Sequence, residues 1–431
     1  MIELAWVAVP LPAGGSYPAA RAQLEALMAA RKATRKFGPS PAEASQRLPK
    51  SSIDDSRESV IPEPLYAPRG ADRTTRRRYA DNLFNTFGAG QAERLSGVDL
   101  LKRHGLPVAP DADFPSTSHF AALPLLVRLL RAGYAVTSGL TAYVGTLRGR
   151  FGAHPVKLAS RFQGRSPIDG YDASLLFPSR LIDLVDQDDV PEAQDALREY
   201  LKQATARQEP GAYYALLHAD GDAMGAVIDN QQSPDAHRAL SRQLDGFARS
   251  VREVVEEQHD GALVYAGGDD VLAFLPLHTA LGCTQALATA FGQAMRDYKS
   301  AEDVSPTLSV GLAICHHLEP LSDALDLARA AEKAAKGVVG KNALAITLSK
   351  RSGADVTIRG SWSSGFFERL EQFVALHRAE ALPDGAAYDL RRLSAQRRRS
   401  LRSTCSRGLW RAATCLVAGC RCIRWQQPGL S

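Results

Sequence analysis

The sequence predicts an α+β protein, and three observations carry that reading. Two short strand-like runs, Ala262–Ala266 and Val271–Leu275, flank Gly267-Gly268-Asp269-Asp270, the chemistry of a tight hairpin. From Gly211 onward, apolar runs of strand length alternate with amphipathic helical stretches, whereas residues 66–205 read mainly as helix broken by Pro/Gly/Ser loops. A chain of 431 residues, 45% hydrophobic and 23% charged, has enough apolar surface for two or three domains, each with its own core.

Residues 1–65 offer little core: a strand-like Leu4–Pro10, a helix around Ala19–Lys36 and a polar stretch through Pro62. They read as the remnant of an upstream domain and a linker. Met1–Pro12 lacks a basic leading region and a cleavage site, and no run of eighteen apolar residues follows, so neither a signal peptide nor a membrane span is expected and the cytoplasm is the default compartment. In 66–205 the clearest helices are Leu125–Ala132 and Glu192–Ala204, each placed just after a proline. The basic run Arg73–Arg78 reads as a solvated face, with contact to nucleic acid as the alternative.

The region 206–350 is expected to hold the chemistry. Tyr213–Ala219 is apolar throughout, as a strand buried on both faces should be, and it ends in Asp220-Gly221-Asp222. A helix should start at Ser233, an N-cap with Pro234 behind it, and bury Leu244, Phe247, Val251, Val254 and Val255. The hairpin follows, then a helix over Thr279–Tyr298, a strand Thr307–Ile314, a helix Leu321–Gly337 and a strand Asn342–Ser349. That order, βαββαβ with an added αβ unit, predicts a ferredoxin-like sheet in which a right-handed crossover makes the first two strands parallel. In 351–390 a helical domain is expected to begin, with Phe366, Leu370, Phe373, Val374 and His377 on one face.

The formal net charge of +5 conceals a division. Leu390–Ser431 holds ten arginines and no Asp, Glu or Lys, so the rest of the chain is acidic. Without lysine or any helical or strand period, 391–431 reads as a shifted reading frame rather than an RNA-binding arm. Four of the six cysteines lie there, at spacings that match neither a disulfide framework nor a zinc site. His259-Asp260 and Cys315-His316-His317 also lack partners at metal spacing and are expected in loops.

Glycine lets backbone approach a phosphate closely, and adjacent carboxylates are the hard oxygen ligands that Mg²⁺ or Mn²⁺ prefers. An acidic surface turn would look the same from GGDD alone. The predicted topology decides between them, because it ends the first strand and the hairpin on one sheet edge. Asp220 and Asp269 or Asp270 then come within reach of one ion or an ion pair, as phosphoryl and nucleotidyl transfer requires.

His218–Gly225, Gly267–Asp270, Leu308–Ala313 and Ala335-Lys336 through Gly340-Lys341-Asn342 together resemble the GGDEF/nucleotidyl-cyclase palm. More closely, they are similar to the second palm of the large signature subunit of type III-B, Cmr-type, CRISPR-Cas effector complexes. Ala30–Arg35, Arg57–Pro62, Leu95–Val98, Phe114–Ser118 and Ser349–Gly353 are also similar to stretches of that family, so the likeness covers about residues 1–390. The resemblance implies a palm that converts ATP to cyclic oligoadenylate when a guide RNA pairs with target RNA, in a complex with other Cmr-type subunits and without a membrane. By position, Asp269 and Asp270 would be catalytic, Asp220, Gly221, Asp269 and Asp270 would ligate Mg²⁺ or Mn²⁺, and Gly267, Gly268, Lys336 and Lys341 would contact the nucleotide. Lysines at a helix end also suit the macrodipole, and Asp222 either joins the site or orders its loop.

The family commonly begins with an HD nuclease domain and a first palm, and its synthase site is shared by two palms. Only the end of a first palm is expected in 1–65 and no HD domain, so a truncated chain is expected to bind ATP yet make no product alone. Two other readings are a diguanylate cyclase, against which Gly-Gly-Asp-Asp-Val and the missing Arg-x-x-Asp site count, and a non-catalytic subunit that binds RNA and protein.

Overall fold

The computed structural model describes residues 5–11, 14–34, 49–53, 57–105, 114–351, 353–383 and 385–386. The Arg/Cys-rich tail at 391–431 and the residues Leu4, Arg35 and Lys36 of the expected N-terminal elements lie outside that set. Residues 5–10 form no strand, because no described segment offers them a hydrogen-bonding partner. A first helix, Tyr17–Ala33 (α1), follows and buries none of its residues.

The chain divides into two compact units. One comprises Met1–Val7, Ala26–Asp113 and Ala159–Arg161. Its helices, Arg73–Phe87 (α2) and Gly97–His104 (α3), are capped by local chemistry. The Asp72 carboxylate accepts from Thr75 N–H at 2.9 Å, and Ser96 and Asp99 form a reciprocal capping box. Ile61, Tyr66, Leu83, Ala89 and Leu95 make its small core. The Arg73–Arg78 run opens α2, where cations gain nothing from the helix dipole.

The other unit comprises Ala8–Glu25, Phe114–Leu158 and Phe162–Ser431. Its leading helices are Thr117–Arg131 (α4), Leu140–Gly149 (α5) and Val190–Ala204 (α7), and the short Ser160–Gln163 (α6) falls at the division between the units. Pro191 stands in the first turn of α7 as expected, but Pro124 lies inside α4 rather than ahead of it. The Ser116 hydroxyl sets the true start by accepting from His119 N–H at 3.1 Å. One side of α4 then stacks Phe120 on Phe274 of the sheet, at 5.6 Å between ring centroids.

The sheet has six strands: Tyr213–Asp222 (β1), Ala262–Gly267 (β2), Asp270–Leu275 (β3), Thr307–His316 (β4), Ala343–Leu348 (β5) and Val356–Ser361 (β6). Their spatial order is β2-β3-β1-β4-β5-β6. β3 is antiparallel to both β1 and β2, so those two run parallel with β3 between them, as the ferredoxin-like reading requires. β4 is antiparallel to β1, β5 parallel to β4, and β6 antiparallel to β5. The sheet thus continues past residue 350 with a strand that the helical reading of 351–390 omits. Alternation of short polar residues with Val356 and Ile358 is too brief a signal to separate it from a loop.

Helices Met224–Asp229 (α8), Pro234–Arg252 (α9), Leu277–Met295 (α10), Leu321–Lys336 (α11) and Phe366–Arg378 (α12) complete the unit. Ser233 caps α9 as expected, accepting from Ala236 N–H at 3.2 Å. Ala215, Leu217 and Ala219 of β1 join Phe247, Val251, Leu287 and Phe291 of α9 and α10 in the main core. Even-numbered residues of β1 therefore face the other way, onto the side that α11 covers.

That cover is close. A Cβ on Gly311 of β4 would stand 2.1 Å from the Glu332 nitrogen and 2.6 Å from the Ala328 oxygen, so α11 rests its backbone directly on a glycine. Cys315 and His316 end β4 rather than lying in a loop, and His317 is buried, its Nδ1 2.8 Å from the Ser118 hydroxyl. Among the described residues, no helix is long and apolar enough to cross a membrane.

Candidate active site

Three short segments converge on one edge of the sheet. The end of β1 supplies Asp220, Gly221 and Asp222, the β2–β3 hairpin supplies Asp269 and Asp270, and the end of α11 supplies Lys336.

The hairpin is tighter than two glycines at its tip would make it. Gly267 pairs with Asp270, which leaves Gly268 and Asp269 as the whole turn. Gly268 adopts φ +66°, a value that costs glycine little. Asp270 is thereby the first residue of β3, not a tip residue, and Gly267 is the last of β2. The bare Cα of Gly267 leaves room for Tyr265, whose hydroxyl would lie 2.2 Å from a Cβ there, whereas nothing lies within 4 Å of a Cβ on Gly268.

Register brings the acids together. Ala219 pairs with Val271, and one residue further along Asp220 and Asp270 stand opposite each other on the face toward α11. Asp269 folds from the turn over Gly221, where a Cβ would meet its Oδ2 at 2.6 Å and Met224 Cγ at 2.7 Å. Only glycine at 221 lets that carboxylate lie against the β1 backbone. Burial, and then the charge of Asp270, holds the Asp269 carboxyl above the ordinary carboxylate range, while the N–H groups of Asp269 and Gly221 pull the other way.

Asp222 is buried and acts as a clamp. Its Oδ2 accepts from Thr307 Oγ1 at 2.8 Å, Ser309 Oγ at 2.7 Å and Asn342 N–H at 3.1 Å. The last of these pins a loop in which Gly340, Lys341 and Asn342 all have positive φ, at 83°, 52° and 45°. Asp222 therefore orders the loop that carries Lys341, and its Oδ1 is buried without a hydrogen-bond partner.

Lys336 pairs with Asp220, and its Nζ lies 3.2 Å from Glu332 Oε1 one turn earlier on α11. Glu332 is buried, and its carboxyl is pushed upward by burial first and then by Asp222. Burial, followed by the nearby Lys341, pulls the Lys336 amine below its ordinary range. Burial likewise lowers His218, which Asp270 partly offsets.

Glu332, Thr307 and Ser309 join these acids although no motif in the sequence marks their roles. An acid four residues before a lysine on one helix face was the available signal for the first; period-two alternation along β4 was the signal for the others. His259 and Asp260 serve other contacts: His259 Nδ1 is 2.7 Å from the Val254 oxygen, and Asp260 lies 3.5 Å from His278.

Among the described residues, no three His, Cys, Asp or Glu side chains converge on a single point that would enclose an ion. The donors at hand are the Asp220 and Asp270 carboxylates, Asp269 and the nearby backbone of Gly221. Such a set fits Mg²⁺ or Mn²⁺ better than a caged ion, because Mg²⁺ commonly takes one or two carboxylates and completes its shell with substrate phosphates and water.

A family model of the Cas10/Cmr2 second palm domain matches residues 213–345. The CRISPR system Cmr subunit Cmr2 of Pyrococcus furiosus is 36% identical over 197 residues, which cover 39% of this chain and 22% of that protein. A type III-B Cmr-beta complex in its apo state, solved by cryo-EM, aligns with 92% of this chain and 57% of its own at a TM-score of 0.57 and 12% identity, a likeness of fold. A Csm1–Csm4 cassette in complex with cA4 aligns with 44% of this chain and 30% of its own, at a TM-score of 0.34 and 18% identity. The chain thus spans about a fifth of the curated relative and somewhat over half of the Cmr-beta chain.

Proposed function

We propose that this chain, similar to Cmr2 and matching the Cas10/Cmr2 second palm model over residues 213–345, serves a type III-B CRISPR-Cas effector complex as the ATP-binding palm for cyclic oligoadenylate synthesis. Its partners in this reading are the other Cmr-type subunits, the guide RNA and the target RNA. The observation that supports it most is the meeting of Asp220, Asp269 and Asp270 at one sheet edge, over a Gly221 backbone with no room for a side chain.

In this reading Asp220, Asp269, Asp270 and the Gly221 carbonyl hold Mg²⁺ or Mn²⁺. An ion held by these residues would supply charge neutralisation for the phosphates and a lower pKa for an attacking 3′-hydroxyl. Gly268 gives the phosphates an open approach to the turn backbone, with Gly267 beside it. Lys336 and Lys341 face the triphosphate from the end of α11 and its following loop, as cations positioned for developing charge. Asp222 keeps the Lys341 loop in its left-handed course.

Equilibrium binding of MnATP to the full chain tests this assignment. The wild type should bind saturably, and Asp269→Asn combined with Asp270→Asn should abolish binding, because two lost carboxylates leave the ion short of charge and ligands. Undiminished binding in the double variant would remove these residues from the site. Tighter binding of MnGTP than MnATP would favour a diguanylate cyclase.

A further inference from the structure

We propose that Lys336 is a counter-ion latch: its ammonium holds Asp220 while no nucleotide is bound and must leave before a divalent ion can use that carboxylate. The inference rests on the nucleotide-site reading above and concerns how that site is kept shut.

The geometry has four parts. First, one ammonium bridges two acids on different elements, Asp220 on β1 and Glu332 on α11. Second, α11 is seated closely on β4, its backbone against Gly311 where no side chain fits, so the shortest way to release Asp220 is a rotation of the Lys336 side chain. Third, Asp220 and Lys336 each keep 27% of their side chain exposed, whereas Glu332 keeps 8%. An incoming anion therefore reaches the outer pair, and Glu332 stays behind as a fixed anchor. Its Oε1 is near Nζ but makes no aligned hydrogen bond, so the attraction is one of charge and leaves the ammonium free to swing. Fourth, Lys341 lies in the loop that follows α11, five residues after Lys336, so a polyphosphate that draws Lys336 off Asp220 has a second cation at hand.

An ion arriving alone must displace an ammonium from Asp220 and leave it beside Lys341. An ion arriving with a triphosphate gives the ammonium a new partner. Metal and nucleotide then bind with positive coupling carried by Lys336, and the coupling is reciprocal.

Titration of Mn²⁺ without nucleotide, followed by the electron paramagnetic resonance of free Mn²⁺, tests the latch on the full chain. Lys336→Met and Lys336→Gln should each bind Mn²⁺ about fivefold tighter than wild type or more, the lower end of usual coupling. Lys336→Arg, which keeps the charge, should not, and adding Asp220→Asn to Lys336→Met should erase the gain. Both neutral variants should unfold cooperatively near the wild-type temperature. Equal or weaker Mn²⁺ binding by the two neutral variants, with wild type still binding MnATP, overturns the latch and leaves the nucleotide site standing. Failure of wild type to bind MnATP, with no Mn²⁺ binding by any variant, removes the site and the latch together.

Discussion

Asp269 shows how a residue can work against the fold that holds it. Its carboxyl sits above the ordinary range through burial and through Asp270, so the unfolded chain gives up that proton at lower pH than the folded one does. Between the ordinary carboxylate pKa and the raised value the folded state binds more protons, and stability falls as pH rises through that window. Asp269→Asn removes the penalty and keeps an oxygen for the Gly221 N–H. The variant should melt at or above the wild-type temperature near neutral pH, lose that advantage in acid below the ordinary carboxylate pKa, and bind MnATP weakly. Thermal scans across pH alongside a binding titration check all three, and a lower melting temperature at neutral pH would show that the charged form stabilises the fold. Asp222, two residues from Asp220, is opposite in kind: it gives one oxygen to three donors, and its short side chain holds loop and strands in place.

The packing of α11 on β4 is the contact that aims the lysines. Gly311→Ala would put a methyl carbon at 2.1 Å from the Glu332 nitrogen, a clash with backbone that no rotamer relieves. Overpacking of this kind costs about 1–3 kcal/mol or more, and here we expect the upper end, together with loss of MnATP binding as Lys336 is lifted from Asp220. Chemical denaturation and the same titration measure both. Much of the sheet unit is legible in the sequence: βαββαβ order, the Ser233 cap and the meeting of Asp220 with the hairpin acids all follow from periodicity, capping chemistry and crossover handedness. Other features are not. Pro124 resembles a helix start because proline favours one, yet the Ser116 cap eight residues before it governs the helix. The need for glycine at 311 depends on a helix that lies over it in space, which no local pattern encodes.

Across the molecule, stability should be unequal. The sheet unit buries its central strands β1 and β4 between layers of helix, with Leu217, Ala219, Val310 and Leu312 in the main core. The unit with α2 and α3 relies on a core of Ile61, Tyr66, Leu83, Ala89 and Leu95, and small cores leave little margin over chain entropy. Amide hydrogen exchange followed by mass spectrometry should find β1 and β4 the most protected segments and α2 among the fastest helices to exchange. Equal protection of α2 and β1 would mean that both units open only in one global event.

The two-residue turn at Gly268-Asp269 makes the hairpin a measuring device. Side chains of β3 alternate between the face of Asp270 and the core face of Val271. One residue inserted into the turn, with the two-residue turn and the pairing restored beyond it, would exchange those faces and set Asp270 where Val271 had been, in the core. Spacing is therefore inherited more strictly than spelling at this motif: a changed letter weakens one ligand, whereas a changed length turns the whole strand over.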